Sequence, residues 1–126
     1  MYELGVFALG GQRVVSTGRD LAEALSSRVD GGNHFEIAST TSTWPLLDLL
    51  VRDSYVSIHY FPGEGVAGDQ AVSNVTDAPD EMDFPHQSGA VTLPGSVLVD
   101  LETAVACVEQ FAETLARPSL VEWISL

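Results

Sequence analysis

The alternation of apolar and polar residues predicts a chain rich in β-strands that begins with a hairpin. Residues 2–16 contain two β-prone stretches, Leu4–Leu9 and Arg13–Val15, on either side of Gly10-Gly11. Two adjacent glycines can adopt the positive φ angles of a tight turn. Further strands are predicted over residues 34–40, 69–75 and 120–126.

The clearest hairpin joins Leu46–Arg52 to Tyr55–Phe61 through the two-residue turn Asp53-Ser54. If this turn sets the register, apolar residues pair along one side of the ribbon, and we expect that side in the core. The pairs on that side are Val51 with Val56, Leu49 with Ile58, and Leu47 with Tyr60. The opposite side is half polar and places Asp48 across from His59.

Two segments have the periodicity of amphipathic helices. The first is capped by Ser16 or Thr17 and is stopped by Gly31-Gly32. The second begins at Asp100 and cannot continue through Pro118. The apolar positions are Leu21, Ala22, Leu25 and Val29 in the first helix, and Leu101, Ala104, Val105, Val108, Phe111, Ala112 and Leu115 in the second. The pattern predicts one α+β domain over residues 1–126, a mainly antiparallel sheet covered by two helices.

Residues 76–88 have no usable period and are predicted to form a long loop. This segment carries Met82, Phe84 and four acidic residues, namely Asp77, Asp80, Glu81 and Asp83. Long loops within a compact domain are often functional. We therefore interpret the acids as steering charges for a partner and Phe84 as an anchor that enters a cleft, the alternative being a solvated connector.

Charge is the least ordinary property of the chain, with 18 acidic residues against five basic ones and a net charge of −13. Residues 1–63 carry seven of the acids and four arginines, whereas residues 64–126 carry eleven acids and only Arg117. Such a field repels nucleic acids and anionic membranes and favours a basic partner. Glu64 and Asp69 belong to the acidic half and are predicted partner contacts with the acids of residues 76–88. The alternative is that acidity serves solubility alone.

Candidate catalytic and cofactor motifs do not meet the structural context that each one requires. Gly63, Gly65 and Gly68 match the spacing G-x-G-x-x-G, but a predicted strand rather than a helix follows them. Asp48 beside His59 is an arrangement that orients a general base, yet no nucleophile accompanies the pair, and a cross-strand charge pair is favoured. We predict no catalytic residue and no cofactor. The alternative function is a small hydrolase or transferase that uses Asp48 and His59.

The histidines, the cysteine and the N-terminal segment indicate neither a metal site nor secretion. His34, His59 and His86 have no metal-ligand spacing, so no metal is predicted. Cys107 is the only cysteine, cannot form an internal disulfide and is predicted to pack beside the last helix's apolar stripe. The apolar stretch of residues 4–9 is short and lacks a basic leader, so we expect a cytoplasmic protein.

A series of short motifs runs from residue 44 to residue 124. They are Trp44-Pro45-Leu46-Leu47, His59-Tyr60-Phe61, a glycine-rich link, Leu93-Pro94-Gly95, the helix from Asp100, and Arg117-Pro118 followed by Val121-Glu122-Trp123. Their order and spacing resemble the first-numbered family of bacterial immunity proteins, although Ala116 stands where members commonly have a glycine. The resemblance implies a protein that binds and silences a toxin encoded beside it, often a nucleic-acid deaminase. An acidic protein is expected to bind such a toxin, because the toxin needs a positively charged surface that attracts its nucleic-acid substrate.

Overall fold

A computed structural model describes residues 1–126 and contains ten strands and two α-helices. The strands are β1 (Leu4–Ala8), β2 (Gly11–Val15), β3 (Gly32–Ser39), β4 (Leu46–Arg52), β5 (Tyr55–Phe61), β6 (Asp69–Ala71), β7 (Glu81–His86), β8 (Gly89–Pro94), β9 (Val99–Asp100) and β10 (Trp123–Ser125). The helices are α1 (Gly18–Leu25) and α2 (Leu101–Thr114), and one 3-10 turn covers Gly95–Val97. Neither α-helix combines the length and apolar character needed to cross a membrane.

The main sheet has eight strands, and all its pairs are antiparallel. Seven lie in the order β10-β6-β5-β4-β3-β1-β2, and β9 pairs with β5. The two predicted hairpins, β1–β2 and β4–β5, are confirmed, and the β4–β5 register matches the predicted one, including Leu49 opposite Ile58. At the first turn Gly10 adopts a φ of +92°, which favours glycine.

Both helices cover one face of this sheet, so the α+β fold prediction is confirmed. A core of 21 buried residues joins the inward side chains of β1 to β6 to the apolar faces of α1 and α2. Phe111 of α2 is fully buried and meets the ring of Tyr60 edge to face, with 6.4 Å between centroids. Cys107 is also fully buried, which confirms its packing role, and burial raises the pKa of its thiol to about 11.

The helix caps formed as predicted, but α1 is shorter than predicted. Thr17 Oγ1 accepts the Asp20 N–H at 3.2 Å, and Asp100 Oδ1 accepts the Thr103 N–H at 2.7 Å. Helix α1 ends at Leu25, so the prediction that Val29 extends its apolar face is wrong. Val29 instead closes a turn with Gly32 through two backbone hydrogen bonds of 2.7 and 3.1 Å. These bonds give the backbone N–H and C=O groups of Val29 partners outside a helix.

Residues 76–80 are irregular, as predicted, but the prediction that the loop continues to residue 88 is wrong. Strands β7 and β8 form a separate two-stranded hairpin over residues 81–94, with Glu81 and Asp83 exposed and Met82 and Phe84 turned inward. The acids and the proline in β7 make this alternation of exposed and inward side chains difficult to recognise in the sequence. Proline is compatible with strands that lie at a sheet edge, and both strands of a two-stranded sheet are edges. The predicted ends of other strands also shift, since β3, β6 and β10 are 32–39, 69–71 and 123–125.

Candidate functional site

The sheet has an outer face, opposite the helices, that is only partly covered. The β7–β8 hairpin packs over one part of it, where Phe84 forms a second small core with Leu50 and Leu98. Arg52 Nη1 donates to the Asp83 carbonyl oxygen at 2.9 Å and ties the hairpin to β4. Phe84 is 1% exposed, so the prediction of a surface anchor there is wrong. Its side chain holds the hairpin on the sheet and has no surface left for a partner.

The uncovered part of the outer face forms a groove of about 830 Å³. We call it the sheet groove, and its apolar lining comprises Phe7, Val14, Ala38, Trp44 and Leu46. Phe7 and Val14 are 52% and 65% exposed. The ring of Trp44 lies edge to face against Phe61, with 6.3 Å between centroids. An aromatic and several aliphatic side chains thus remain open to solvent at the edge of the sheet.

Two neighbouring carboxylates lie at the polar end of the sheet groove: Glu36 belongs to its lining, and Asp48 lies next to Glu36, outside the lining. Glu36 and Asp48 are partners in the β3–β4 ladder, and their side chains are 37% and 21% exposed. Asp48 Oδ2 lies 2.9 Å from Nε2 of His34, and a Glu36 carboxylate oxygen lies 4.0 Å from the same nitrogen. Burial alone would lower the pKa of His34. The hydrogen bond to Asp48 and the charges of Asp48 and Glu36 outweigh burial and raise this pKa above 6.5.

His34, Glu36 and Asp48 place one possible ligand atom each within 4.8 Å of one another, which the sequence spacing did not reveal. The Gln87 N–H donates to His34 Nδ1 at 3.2 Å. Because Nδ1 accepts this hydrogen bond, the proton of the neutral ring lies on Nε2 and points at Asp48. The hydrogen bonding of His34 therefore favours an imidazole–carboxylate pair over a metal centre. His86 stacks on the same ring with 4.3 Å between centroids.

Asp48 and His59 are opposite each other in register, as predicted, but their side chains have different partners. His59 Nε2 bonds to the Ala67 carbonyl oxygen at 2.6 Å, and its ring stacks on Phe61. Asp48 pairs with His34 instead. The predicted cross-strand pair is therefore wrong, and the arrangement needed for the alternative hydrolase function is not formed.

The glycine-rich segment after β5 has a structural use. As predicted, a strand and not a helix follows Gly63, Gly65 and Gly68. Gly68 has a φ of +77°, and a Cβ atom there would lie 2.4 Å from the Tyr60 carbonyl oxygen. Glycine at this position lets the chain return closely along β5.

The six acids predicted to contact a partner fall into two groups. Asp77, Asp80, Glu81 and Asp83 are exposed on or just before the hairpin. None of these four carboxylates forms a salt bridge, although Asp83 accepts a hydrogen bond from Thr92. The structure thus leaves four carboxylates of this segment without a cationic partner.

Glu64 and Asp69 lie near the opposite end of β5 from Asp77. The Tyr55 hydroxyl, at the start of β5, donates to the Asp77 carbonyl oxygen at 3.4 Å, whereas Glu64 follows the end of that strand. Seven strand residues span roughly 20 Å. Asp69 is bound by Arg117 at 3.0 Å and is 19% exposed. The two acids therefore do not join the hairpin acids in one cluster.

Sequence reasoning missed the sheet groove, although one signal was present. In β1, Leu4 and Val6 point into the core, so Phe7 occupies the phase in which a polar residue is usual. An aromatic residue in the outward phase of a strand is typical of a contact surface. The pairing of His34 with Asp48 had no comparable signal, since it depends on the β3–β4 register.

Comparison with known proteins gives one family. The model of the family described as immunity protein Imm1 matches residues 9–125 of the chain. A comparison with curated proteins finds no match. The matched range includes every strand except β1, both helices and most of the lining of the sheet groove.

Proposed function

Because the chain belongs to the Imm1 family of immunity proteins, we propose that it binds and inhibits a basic, nucleic-acid-deaminating toxin. Membership of this family implies that the partner of the chain is a cognate toxin. The deaminase class is what the resemblance implies, and the charge of the chain supports it. In this proposal the protein acts in the cytoplasm of the producing bacterium, as a stoichiometric inhibitor without catalysis or a cofactor.

The observation that carries the proposal is the unpaired acidity of the hairpin. Asp77, Asp80, Glu81 and Asp83 are exposed and have no cationic partner. Arg52 is the arginine tied to the hairpin, and it donates to a backbone carbonyl rather than to a carboxylate. The four charges are therefore available to a basic surface outside the molecule.

Such a surface is expected on a toxin that acts on nucleic acid. A deaminase must attract a phosphate backbone and admit a base into its pocket. Carboxylates on a firmly attached hairpin can bind the same basic surface of the toxin in place of the phosphates. Complementary charge also raises the association rate, which matters when few toxin molecules are lethal. Neither direct nucleic-acid binding nor a membrane is part of this function.

Association kinetics with matched charge variants test the proposal. The test variant changes Asp80, Glu81 and Asp83 to their amides, and the control changes Glu102, Glu109 and Glu113 on helix α2 to glutamine. Both variants lose three negative charges from exposed positions, so their net charge is equal. The binding partner is an inactivated catalytic domain of the toxin encoded beside the chain, measured by surface plasmon resonance over a salt series.

We expect the hairpin variant to associate about tenfold more slowly at low salt and to depend less on salt. The α2 variant should stay close to wild type, because its charges lie on the helical side. Equal slowing of both variants would show that net charge acts without a defined surface. Wild-type rates for the hairpin variant would show that the hairpin is not the steering surface.

A further inference from the structure

The sheet groove has the composition of a docking surface and is not filled by the chain itself. Phe7 is 52% exposed, and Val14 beside it in the β1–β2 hairpin is 65% exposed. Trp44 adds a further aromatic side chain to the lining of the groove. Contiguous exposed apolar surface in a concave site is typical of a place where another molecule binds.

The floor of the sheet groove adds charge to this apolar surface. Glu36 lies directly opposite Phe7 in the β1–β3 ladder, and its partner on β4, Asp48, lies just outside the groove lining. Asp48 is paired with His34, whereas the nearest cationic nitrogen to Glu36 is that same imidazole at 4.0 Å. Arg13 at the rim is directed to Glu23 of helix α1, at 3.7 Å. An incoming cation would therefore find an under-compensated carboxylate next to an aromatic ring.

The groove also opens on the same side of the molecule as the acidic hairpin. Strand β7 packs against β3 and β4 on the outer face, so its outward residues Glu81 and Asp83 point away from that face. The exposed carboxylates and the groove can thus meet one partner at once. A steering surface and an anchoring surface placed together are what fast and tight binding require.

We infer that the sheet groove is the anchoring site for the toxin, and that it holds a toxin segment presenting a large apolar side chain beside an arginine or lysine. The apolar side chain packs on Phe7 and Trp44, and the cation pairs with Glu36. This inference rests on the proposed function, because it assigns a second surface to the same partner. It also supplies the anchor that the buried Phe84 cannot provide.

Dissociation rates of groove variants test this inference, with the inactivated catalytic domain of the adjacently encoded toxin as the probe. Phe7→Ala and Glu36→Gln are the test variants. Leu120→Ala and Glu102→Gln are their controls, since Leu120 is 53% exposed outside the groove and Glu102 is exposed on α2. We expect each test variant to dissociate at least about tenfold faster, as truncation of a central anchor does, and each control to match wild type.

The outcomes separate this inference from the proposed function. If wild type binds the toxin and the groove variants dissociate at the wild-type rate, the groove is not the anchor, whereas toxin binding stands. If wild type does not bind the toxin, both proposals fail. If wild type is instead a dimer by sedimentation and Phe7→Ala is a monomer, the occupant is a second copy of this chain and the inference is overturned.

A measurement on the wild-type complex removes any dependence on how the variants fold. Residues 40–44 line the groove outside the strands. We expect toxin binding to slow amide exchange over residues 40–44, while residues 62–67, in the loop after β5, keep their free rates. Unchanged exchange at 40–44 in a saturated complex would contradict the inference.

Discussion

Replacing Phe84 with alanine should destabilise the protein rather than create a binding defect in a stable one. The side chain is 1% exposed and packs with Leu50 and Leu98. Burying a phenylalanine side chain contributes roughly 1.5–3 kcal/mol by transfer from water, and the residual cavity brings the usual cost of truncation to about 3–5 kcal/mol. Because the hairpin is a small separate layer that can settle into the cavity, we expect about 3 kcal/mol.

Urea unfolding provides the assay, with Phe7→Ala as the matched control. The same truncation at Phe7 removes a ring that is 52% exposed, so its cost should be about 1 kcal/mol or less. Amide exchange should also quicken across the hairpin in Phe84→Ala, because the contact that holds it on the sheet is lost. Equal losses in the two variants, or a loss at Phe84 below about 1 kcal/mol, would refute the packing described for the hairpin.

Three other perturbations have defined outcomes. Phe111→Ala should cost about 3–5 kcal/mol in urea unfolding, since its ring is fully buried in the main core. Asp100→Ala should cost about 1 kcal/mol at pH 7 as a lost helix cap. Hydrogen bonds from the Thr103 N–H and neighbouring groups hold the pKa of Asp100 below its usual value. The stability that the ionised carboxylate contributes is therefore present above pH ~4 and is lost as the pH falls through the pKa of Asp100 in the folded protein. The difference in unfolding free energy between wild type and Asp100→Ala should decrease over the same pH range. His34 should titrate above pH 6.5 by NMR, and Asp48→Asn should lower its midpoint; the pair's stabilisation is complete below pH 6.5 and decreases as the pH rises through the raised value.

The elements predicted correctly are those whose signals are local. The β4–β5 hairpin follows from strict alternation and a two-residue turn, which together fix its register. Helix α2 follows from a capping aspartate and an apolar stripe. Both signals lie within a short stretch of chain, so no distant contact is needed to interpret them.

The errors arose where tertiary contacts decide the structure. The alternation in β7 is visible only once Phe84 is known to lie beneath the hairpin, because Pro85 and the acids suggest a loop. Asp48 could be paired with His59 by hairpin register, but the competing His34 arrives on β3 through a six-residue connection whose path the sequence does not specify. The sheet groove depends on the order β4-β3-β1-β2, which is a property of the whole sheet.

The central claim is that the chain inhibits its toxin by binding it one to one. The direct measurement adds increasing amounts of the purified protein to the active catalytic domain of the adjacently encoded toxin and follows deamination of a single-stranded oligonucleotide. We predict that activity falls in proportion to the added protein and reaches zero at one equivalent. Full deaminase activity in the presence of a several-fold excess of the folded chain would contradict it.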